Sequence, residues 1–323
     1  MVKIMIYRLG YAKLNVSNLE KSLDFYEKTL GFIKTKQEGK TAYLRAVEEF
    51  DQYSLILHED RDNVCLHHFG LRVSSEEALD EIKQKNEELG VEMEEVKDED
   101  LGRVIKIVTP SGHPVAFYHH SPQVNVYHGE NRDVILPMRR SHLQNGVPPV
   151  RIDHMNIRVP NVNKEWDFWK NFGFSMSEYV EGDNENERYA AWLRREPFTH
   201  DIALVYKEVA SLHHVAFIVD GVTGVVKTAD ILADAGYRDS IEYGPGRHGV
   251  SNAFFLYIKD PDGHRIEIYA DDYKRDLDQE PIGWTQEAYE KNGRLWWGSE
   301  VPASFKETTP INKNFIKKDE LVK

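Results

Sequence analysis

Three residues in the second half of the chain, His154, His214 and Glu267, are of types that bind a divalent first-row metal, and their positions recur in a repeat. Arg8-Leu-Gly-Tyr11-Ala-Lys-Leu-Asn-Val16 matches Arg151-Ile-Asp-His154-Met-Asn-Ile-Arg-Val159. Leu66-His-His68-Phe69 matches Leu212-His-His214-Val215, and Ser111-Gly-His-Pro-Val-Ala116-Phe matches Asp262-Gly-His-Arg-Ile-Glu267-Ile. The pairing sets Tyr11 against His154, His68 against His214 and Ala116 against Glu267. Two imidazoles and one carboxylate on one face of an ion leave coordination positions open, the arrangement with which non-haem iron activates oxygen. Tyr, His and Ala do not make such a set. His213, next to His214, is the rival ligand; the repeat register and strand alternation favour His214.

These side chains need strands to converge. The repeat reads as strand, helix, short strands, then strand, helix, strands, an α+β pattern. Arg8–Val16 and Arg151–Val159 are expected strands, with Ile152, His154 and Asn156 on one face and Arg265, Glu267 and Tyr269 together on another strand. Asn18 and Asn161 are expected caps of helices over Leu19–Leu30 and Val162–Phe172, closed by Gly31 and Gly173. Further strands are expected over Thr41–Ala46, Tyr53–His58, Tyr189–Leu193 and Asp201–Tyr206. Second helices span about Ser75–Leu89 and Thr223–Ala235, ending at Gly90 and Gly236. Pro110 and Pro261 open hairpin turns. The divisions read from this pattern are an N-terminal domain without metal (1–122), a linker (123–149), a catalytic domain (150–272) and a lid or tail (273–323).

The 323 residues suffice for two domains, and a net charge of −13 without a long basic run argues against nucleic acid or an anionic membrane as partner. No apolar run reaches the roughly 20 residues that span a bilayer. The start, Met1-Val-Lys-Ile-Met-Ile-Tyr-Arg, reads as a strand rather than a signal peptide. Cys65 is the only cysteine, so no intramolecular disulfide forms, which fits a reducing cytoplasm.

The segments Arg151-Ile-Asp-His154-Met-Asn156, Leu212-His-His214-Val-Ala-Phe217, Gly244-Pro-Gly-Arg-His248-Gly-Val-Ser-Asn252-Ala-Phe and Asp260-Pro-Asp-Gly-His-Arg-Ile-Glu267-Ile-Tyr269 resemble the extradiol catechol dioxygenases of the vicinal-oxygen-chelate superfamily. Within it the chain is most similar to homoprotocatechuate (3,4-dihydroxyphenylacetate) 2,3-dioxygenases, and the resemblance reaches Arg294-Leu-Trp-Trp-Gly298. It implies tandem βαβββ modules, two per domain, with Fe(II) or Mn(II) on His154, His214 and Glu267. It implies His200 as acid/base, Tyr257 as hydrogen-bond partner of the bound catechol oxygen, and Asn156, Trp192 and His248 at the oxygen and substrate sites. A catechol and O2 would be the small-molecule partners, and a homo-oligomer, a tetramer, the assembly.

The resemblance breaks where a carboxylated substrate would be gripped. Those enzymes place Arg where this chain has Tyr243, and paired Arg where it reads Gly293-Arg294. Arg294, Arg247, His248 and Tyr243 are the substrate-binding candidates left, so an uncharged or alkyl catechol stays open. A glyoxalase-like isomerase would need a fourth ligand, and a ligand-sequestering protein would tolerate loss of the complete triad. Trp296 and Trp297 are expected to pack over the mouth of the metal domain, with a subunit interface as their other use. One divalent ion per chain is expected; elemental analysis finding two, or full binding after His214→Ala, would contradict this.

Overall fold

The computed structural model describes residues 6–123, 146–195, 197–276 and 278–316. Most of the expected linker, the first five residues and the Lys-rich end lie outside them. The first two modules are β1 (Ile6–Val16), α1 (Leu19–Leu23), β2 (Ile33–Glu38), β3 (Thr41–Arg45), β4 (Leu55–Glu59), then β5 (Cys65–Val73), α2 (Glu76–Glu88), β6 (Met93–Asp98), β7 (Gly102–Val108), β8 (Pro114–Tyr118). The second two are β9 (Arg151–Val159), α3 (Val162–Trp169), β10 (Ser175–Glu181), β11 (Arg188–Arg194), β12 (Ile202–Tyr206), then β13 (Ser211–Ile218), α4 (Gly221–Asp234), β14 (Ile241–Arg247), β15 (Phe254–Lys259), β16 (Arg265–Ala270). Strand β17 (Ile282–Trp284) follows in the tail.

Each half forms one mixed sheet. The strand orders are β2-β3-β4-β1-β5-β8-β7-β6 and β14-β15-β16-β13-β9-β12-β11-β10-β17. The first strands of paired modules meet antiparallel at the centre, and each lies parallel to the last strand of its own module. One continuous apolar core runs between the two sheets. Phe69 of β5 meets Trp169 of α3 at 6.5 Å, and Phe32 meets Phe217 at 4.8 Å. The Tyr26 hydroxyl donates to Asp260 at 2.9 Å. The two repeats therefore bury their helix-covered faces against each other. The opposite faces are left for other uses.

Local chemistry explains the element ends. Asn18 and Asn161 accept from the amides of Lys21 and Lys164, and Ser75 accepts from that of Ala78. Such caps contribute about 1 kcal/mol each. Gly90 and Gly236 follow their helices in the left-handed region, at φ 64° and 83°. The expected regular helix over Leu19–Leu30 is corrected: after Leu23 the chain widens into a π turn over Asp24–Thr29. There the Thr29 hydroxyl donates to the Asp24 carbonyl.

The strands that hold the site are not regular. Between Met155 and Ile152, β9 advances three residues while β13 advances two, from Val215 to Phe217. The extra residue is a bulge at Asp153 and His154. It corrects the expectation that Ile152 shares the face of His154: Ile152 enters the main core with Met155. A second bulge lies on β13, where Leu212 and His214 oppose Ile157 and Asn156. The N-terminal pair carries equivalent irregularities, around Gly10 and around His67. The bulges therefore belong to the repeat.

The tail crosses the face of the second sheet. Buried Glu178 accepts from the amide of Ser251 (2.7 Å), the hydroxyl of Tyr273 (2.6 Å) and the indole of Trp284 (2.7 Å). Arg265 pairs with both oxygens of Glu242 and donates to the carbonyls of Ser304 and Glu307. The amides of Gly249 and Val250 both donate to the Gly293 carbonyl at 2.9 Å. Trp296 and Trp297 do not form the cover expected of them: they stay 62% and 50% exposed, Trp297 lying beside Phe254. A Cβ at Gly249 would stand 2.1 Å from the Asn292 carbonyl oxygen. Gly249→Ala is expected to lift the tail, at a cost of about 1–3 kcal/mol. Limited proteolysis should then cut the tail faster; unchanged cleavage and an unchanged unfolding midpoint would refute this.

Candidate active site

Among the described residues, one group of three potential metal ligands comes together: His154 on β9, His214 on β13 and Glu267 on β16, all buried. His154 Nε2 lies 3.2 Å from His214 Nε2, and each lies 3.0 Å from Glu267 Oε2. An octahedral ion with bonds of about 2.2 Å sets adjacent ligands about 3.1 Å apart, so the donor set fits one face of such an ion. Neutral imidazole nitrogens and a carboxylate oxygen suit Fe(II) or Mn(II).

Hydrogen bonds fix which nitrogen faces inward. Asp153 Oδ2 lies 2.9 Å from His154 Nδ1, and a carboxylate accepts, so Nδ1–H donates and the Nε2 lone pair points at the cluster. The bulge makes this possible by placing Asp153 and His154 on the same side. On β13 the relay is longer. The Phe305 carbonyl accepts from His213 Nε2 at 2.9 Å, which leaves His213 Nδ1 to accept from His214 Nδ1 at 2.7 Å. The Nε2 lone pair of His214 is thereby turned to Glu267. His213 stands behind His214 as its support, and Asp153 and Phe305 are functional positions that the sequence reading missed. In the repeat Gly10 stands opposite Asp153, a match that marks the bulge only once the strand register is known.

Burial acts on these groups in opposed ways. Burial raises a carboxyl, but the flanking imidazoles of His214 and His154 outweigh it and hold Glu267 well below the usual range. Burial lowers His214 to about 4. Burial also lowers His154, yet the bonds to Asp153 and Glu267 prevail and lift it to about 9.

The triad lies on the floor of a 740 Å³ cavity that Asn156, Trp192, His200, His248, Tyr257, Tyr269 and Arg294 also line. The His200 ring stands 3.9 Å from that of His154. Thr199 Oγ1 lies 3.2 Å from Asp272 Oδ2 and 2.9 Å from His200 Nδ1. With the threonine proton on the carboxylate, His200 donates from Nδ1 and keeps a free Nε2 lone pair. Burial holds this imidazole well below its ordinary pKa, so it is neutral. The Arg294 carbonyl accepts from His248 Nδ1 at 2.5 Å, which makes His248 Nε2 the acceptor for the Tyr257 hydroxyl at 3.0 Å. Asn156 Oδ1 is buried with no hydrogen-bond partner.

Two expected substrate-binding residues do not line the cavity. Tyr243 is buried one layer behind, its ring parallel to that of Tyr257 at 5.8 Å. Arg247 turns outward, donating to the Asn252 carbonyl and covering Phe254. Arg294 reaches the cavity but forms an ion pair with Glu290.

The N-terminal half shows the same frame without the ligands. The Tyr11 hydroxyl lies 2.9 Å from His68 Nε2, and Phe315 stacks on His68 at 4.8 Å. A Cβ at Gly70 would fall 2.1 Å from the Tyr11 ring, and one at Gly10 1.8 Å from the Tyr118 hydroxyl. Aromatic side chains occupy the space that ligands and their supports take in the other half.

Comparison with known proteins bears on this site. The model of the Glyoxalase/Bleomycin resistance protein/Dioxygenase superfamily matches residues 8–117 and again 151–268. The manganese-dependent 2,3-dihydroxybiphenyl 1,2-dioxygenase of Geobacillus genomosp. 3 is 31% identical over 92% of this chain and 95% of its own. The metapyrocatechase of Geobacillus stearothermophilus is 29% identical, covering 93% of this chain and 92% of its own. The solved homoprotocatechuate 2,3-dioxygenase of Arthrobacter globiformis superposes with a TM-score of 0.87 at 34% identity, covering 96% and 94% of the two chains. That of Brevibacterium fuscum, in complex with 3,4-dihydroxyphenylacetate, gives 0.86 at 35%, covering 95% and 93%.

Asp153→Asn keeps the shape but replaces the charged acceptor of His154 Nδ1–H with a neutral amide oxygen, which weakens the bond that orients the ring and raises its basicity. Metal affinity is expected to fall about 10–100-fold, the usual worth of such a partner, while the fold stays intact. Competition with a metallochromic chelator measures this; an unchanged affinity would refute the role of Asp153.

Proposed function

The chain belongs to the Glyoxalase/Bleomycin resistance protein/Dioxygenase superfamily and is an extradiol ring-cleaving dioxygenase dependent on iron or manganese, and we propose that it opens 3,4-dihydroxyphenylacetate to a muconic semialdehyde at His154, His214 and Glu267. The observation that carries this assignment is the meeting of three buried electron-pair donors within 3.2 Å of one another under an aromatic-lined cavity. The ion, when bound, supplies open positions for both catechol oxygens and for O2, which removes much of the entropic barrier to their reaction.

The chain's own residues do the rest. A catechol must lose a proton to bind as an anion, and His200 Nε2 is a free, neutral acceptor at the cavity wall. The Thr199–Asp272 pair keeps that lone pair pointing inward and stabilises the imidazolium that forms. His200 then returns the proton as the ring opens and both oxygen atoms enter the product. Tyr257, its proton held by His248, keeps its phenol oxygen free to accept from the catechol hydroxyl that remains, and Asn156 offers a buried amide oxygen without a partner. Trp192 bounds the ring.

A second substrate, an uncharged or alkyl catechol, is favoured by one observation: Tyr243 and Arg247 stay outside the cavity and Arg294 is engaged by Glu290. We also propose a homo-oligomer in the cytoplasm. The adjacent exposed Trp296 and Trp297 offer a second copy an apolar patch, and the single thiol, Cys65, is buried and free. No helix among the described residues is long and apolar enough to cross a membrane.

His200→Phe tests the acid/base role. Metal content should stay at the wild-type level while turnover of 3,4-dihydroxyphenylacetate falls about 10²–10⁴-fold. Oxygen uptake that is unchanged with a slow catechol would overturn the role; no uptake by the wild-type enzyme with any catechol would overturn the function.

A further inference from the structure

The second half of the chain is acidic overall, but its cavity is not. Among the residues that line it, Arg158, Lys207, Arg294 and Lys306 carry positive charge, and Glu267, committed to the triad, is the only carboxylate. These cations are not equivalent. Arg294 is paired with Glu290, and Lys207 Nζ donates to the Lys306 carbonyl and the Thr308 hydroxyl, both at 2.9 Å. Arg158 has no hydrogen bond or ion pair among the described residues.

That is an unusual place for a free guanidinium. Arg158 lies on β9, where alternation after the bulge puts His154, Asn156 and Arg158 on the same face of the strand. Four residues of extended strand separate it from His154, about 13 Å of backbone, so the two side chains mark different depths of one cavity wall. Its titratable surroundings are the phenols of Tyr289, Tyr189 and Tyr257, the buried imidazole of His213 and the cations Lys207 and Arg265, the last already neutralised by Glu242. Burial, partly countered by the phenols, brings its pKa down to about 10, so it remains charged at neutral pH. A charged group half-withdrawn from water is ordinarily paired. Here no carboxylate of the cavity wall is left to pair with it, and the side chain lines the cavity.

Resting on the dioxygenase reading, we infer that Arg158 is the specificity-determining residue of this cavity and binds the anionic substituent of the catechol, a carboxylate carried on a short side chain. The guanidinium fork matches a carboxylate's two oxygens, a geometry that lysine cannot reproduce. Tyr289, which neighbours both Arg158 and Arg294, adds a phenolic donor on the same side. The positive wall around the pair, Lys207 included, favours an anion over a neutral ring. The carboxylate thus meets a strand residue beside the metal ligands, in place of the tail arginine that the sequence pointed to.

The test is equilibrium binding to the metal-loaded enzyme without oxygen, followed by quenching of tryptophan fluorescence. The probes are 3,4-dihydroxyphenylacetate, its methyl ester and 4-methylcatechol. Wild type should prefer the acid over its ester at least about tenfold. Arg158→Met should weaken the acid about ten- to hundredfold, the range for a charge-assisted hydrogen bond, with a change at least about tenfold smaller for the two neutral probes. Arg158→Lys should recover part of the preference. Equal weakening of all three probes, or a wild-type enzyme indifferent to the carboxylate, would overturn the inference while normal cleavage of 4-methylcatechol left the dioxygenase reading standing. Failure of the wild type to bind or cleave any of the three would overturn both.

Discussion

The constraint on which the catalytic half depends is mutual repulsion among three buried electron-pair donors. His154 Nε2, His214 Nε2 and Glu267 Oε2 sit 3.0–3.2 Å apart, and all three residues are buried. Such a cluster is stable only if a cation or a proton is shared among them and if each lone pair is held inward from behind. Much of the surrounding structure serves the second requirement. Asp153 fixes one ring, and a His213–Phe305 relay fixes the other. A carboxylate and a carbonyl are both acceptors, so each dictates which nitrogen keeps its proton.

This explains why the tail matters although it lies outside the repeat. It packs the Phe305 ring against His213 and Tyr257, and its backbone carbonyls fix the protons of the histidines. Phe305 sets the tautomer of His213 and, through it, of His214; Arg294 sets that of His248 and, through it, the direction of the Tyr257 proton. The apolar tail side chains first suspected of closing the mouth, Trp296 and Trp297, face solvent instead. Glu178 and Arg265, both buried, tie the tail down so that its carbonyls stay in place.

The N-terminal half is a control within the same molecule. It keeps the sheet order, the central antiparallel pair, both bulges and even the paired imidazoles of His67 and His68 at 2.7 Å. It lacks a carboxylate at Ala116, and Tyr11 plugs the position of the first histidine. The frame therefore persists when its site has gone, because the frame is held by the shared apolar core between the sheets. The ligands are an addition to it.

What the sequence determined by itself was whatever repeats or has local chemistry. The ligand types at matched positions, the Asn18 and Asn161 caps and the turn glycines are all properties of a few neighbouring residues, and their physical consequences do not depend on what packs against them. The tertiary structure alone decided the rest. Strict alternation put Ile152 beside His154, but a bulge moved it to the opposite face, because a bulge is set by the pairing of two strands. Arg247 and Tyr243 had the right chemistry for a substrate, yet the path of β14 turned one to solvent and stacked the other behind Tyr257. Arg158 looked like one more polar residue of an alternating strand. Only when the tail and β11 closed the cavity around it did it become a cation without a partner, since the absence of a counter-charge is a fact about space and not about sequence.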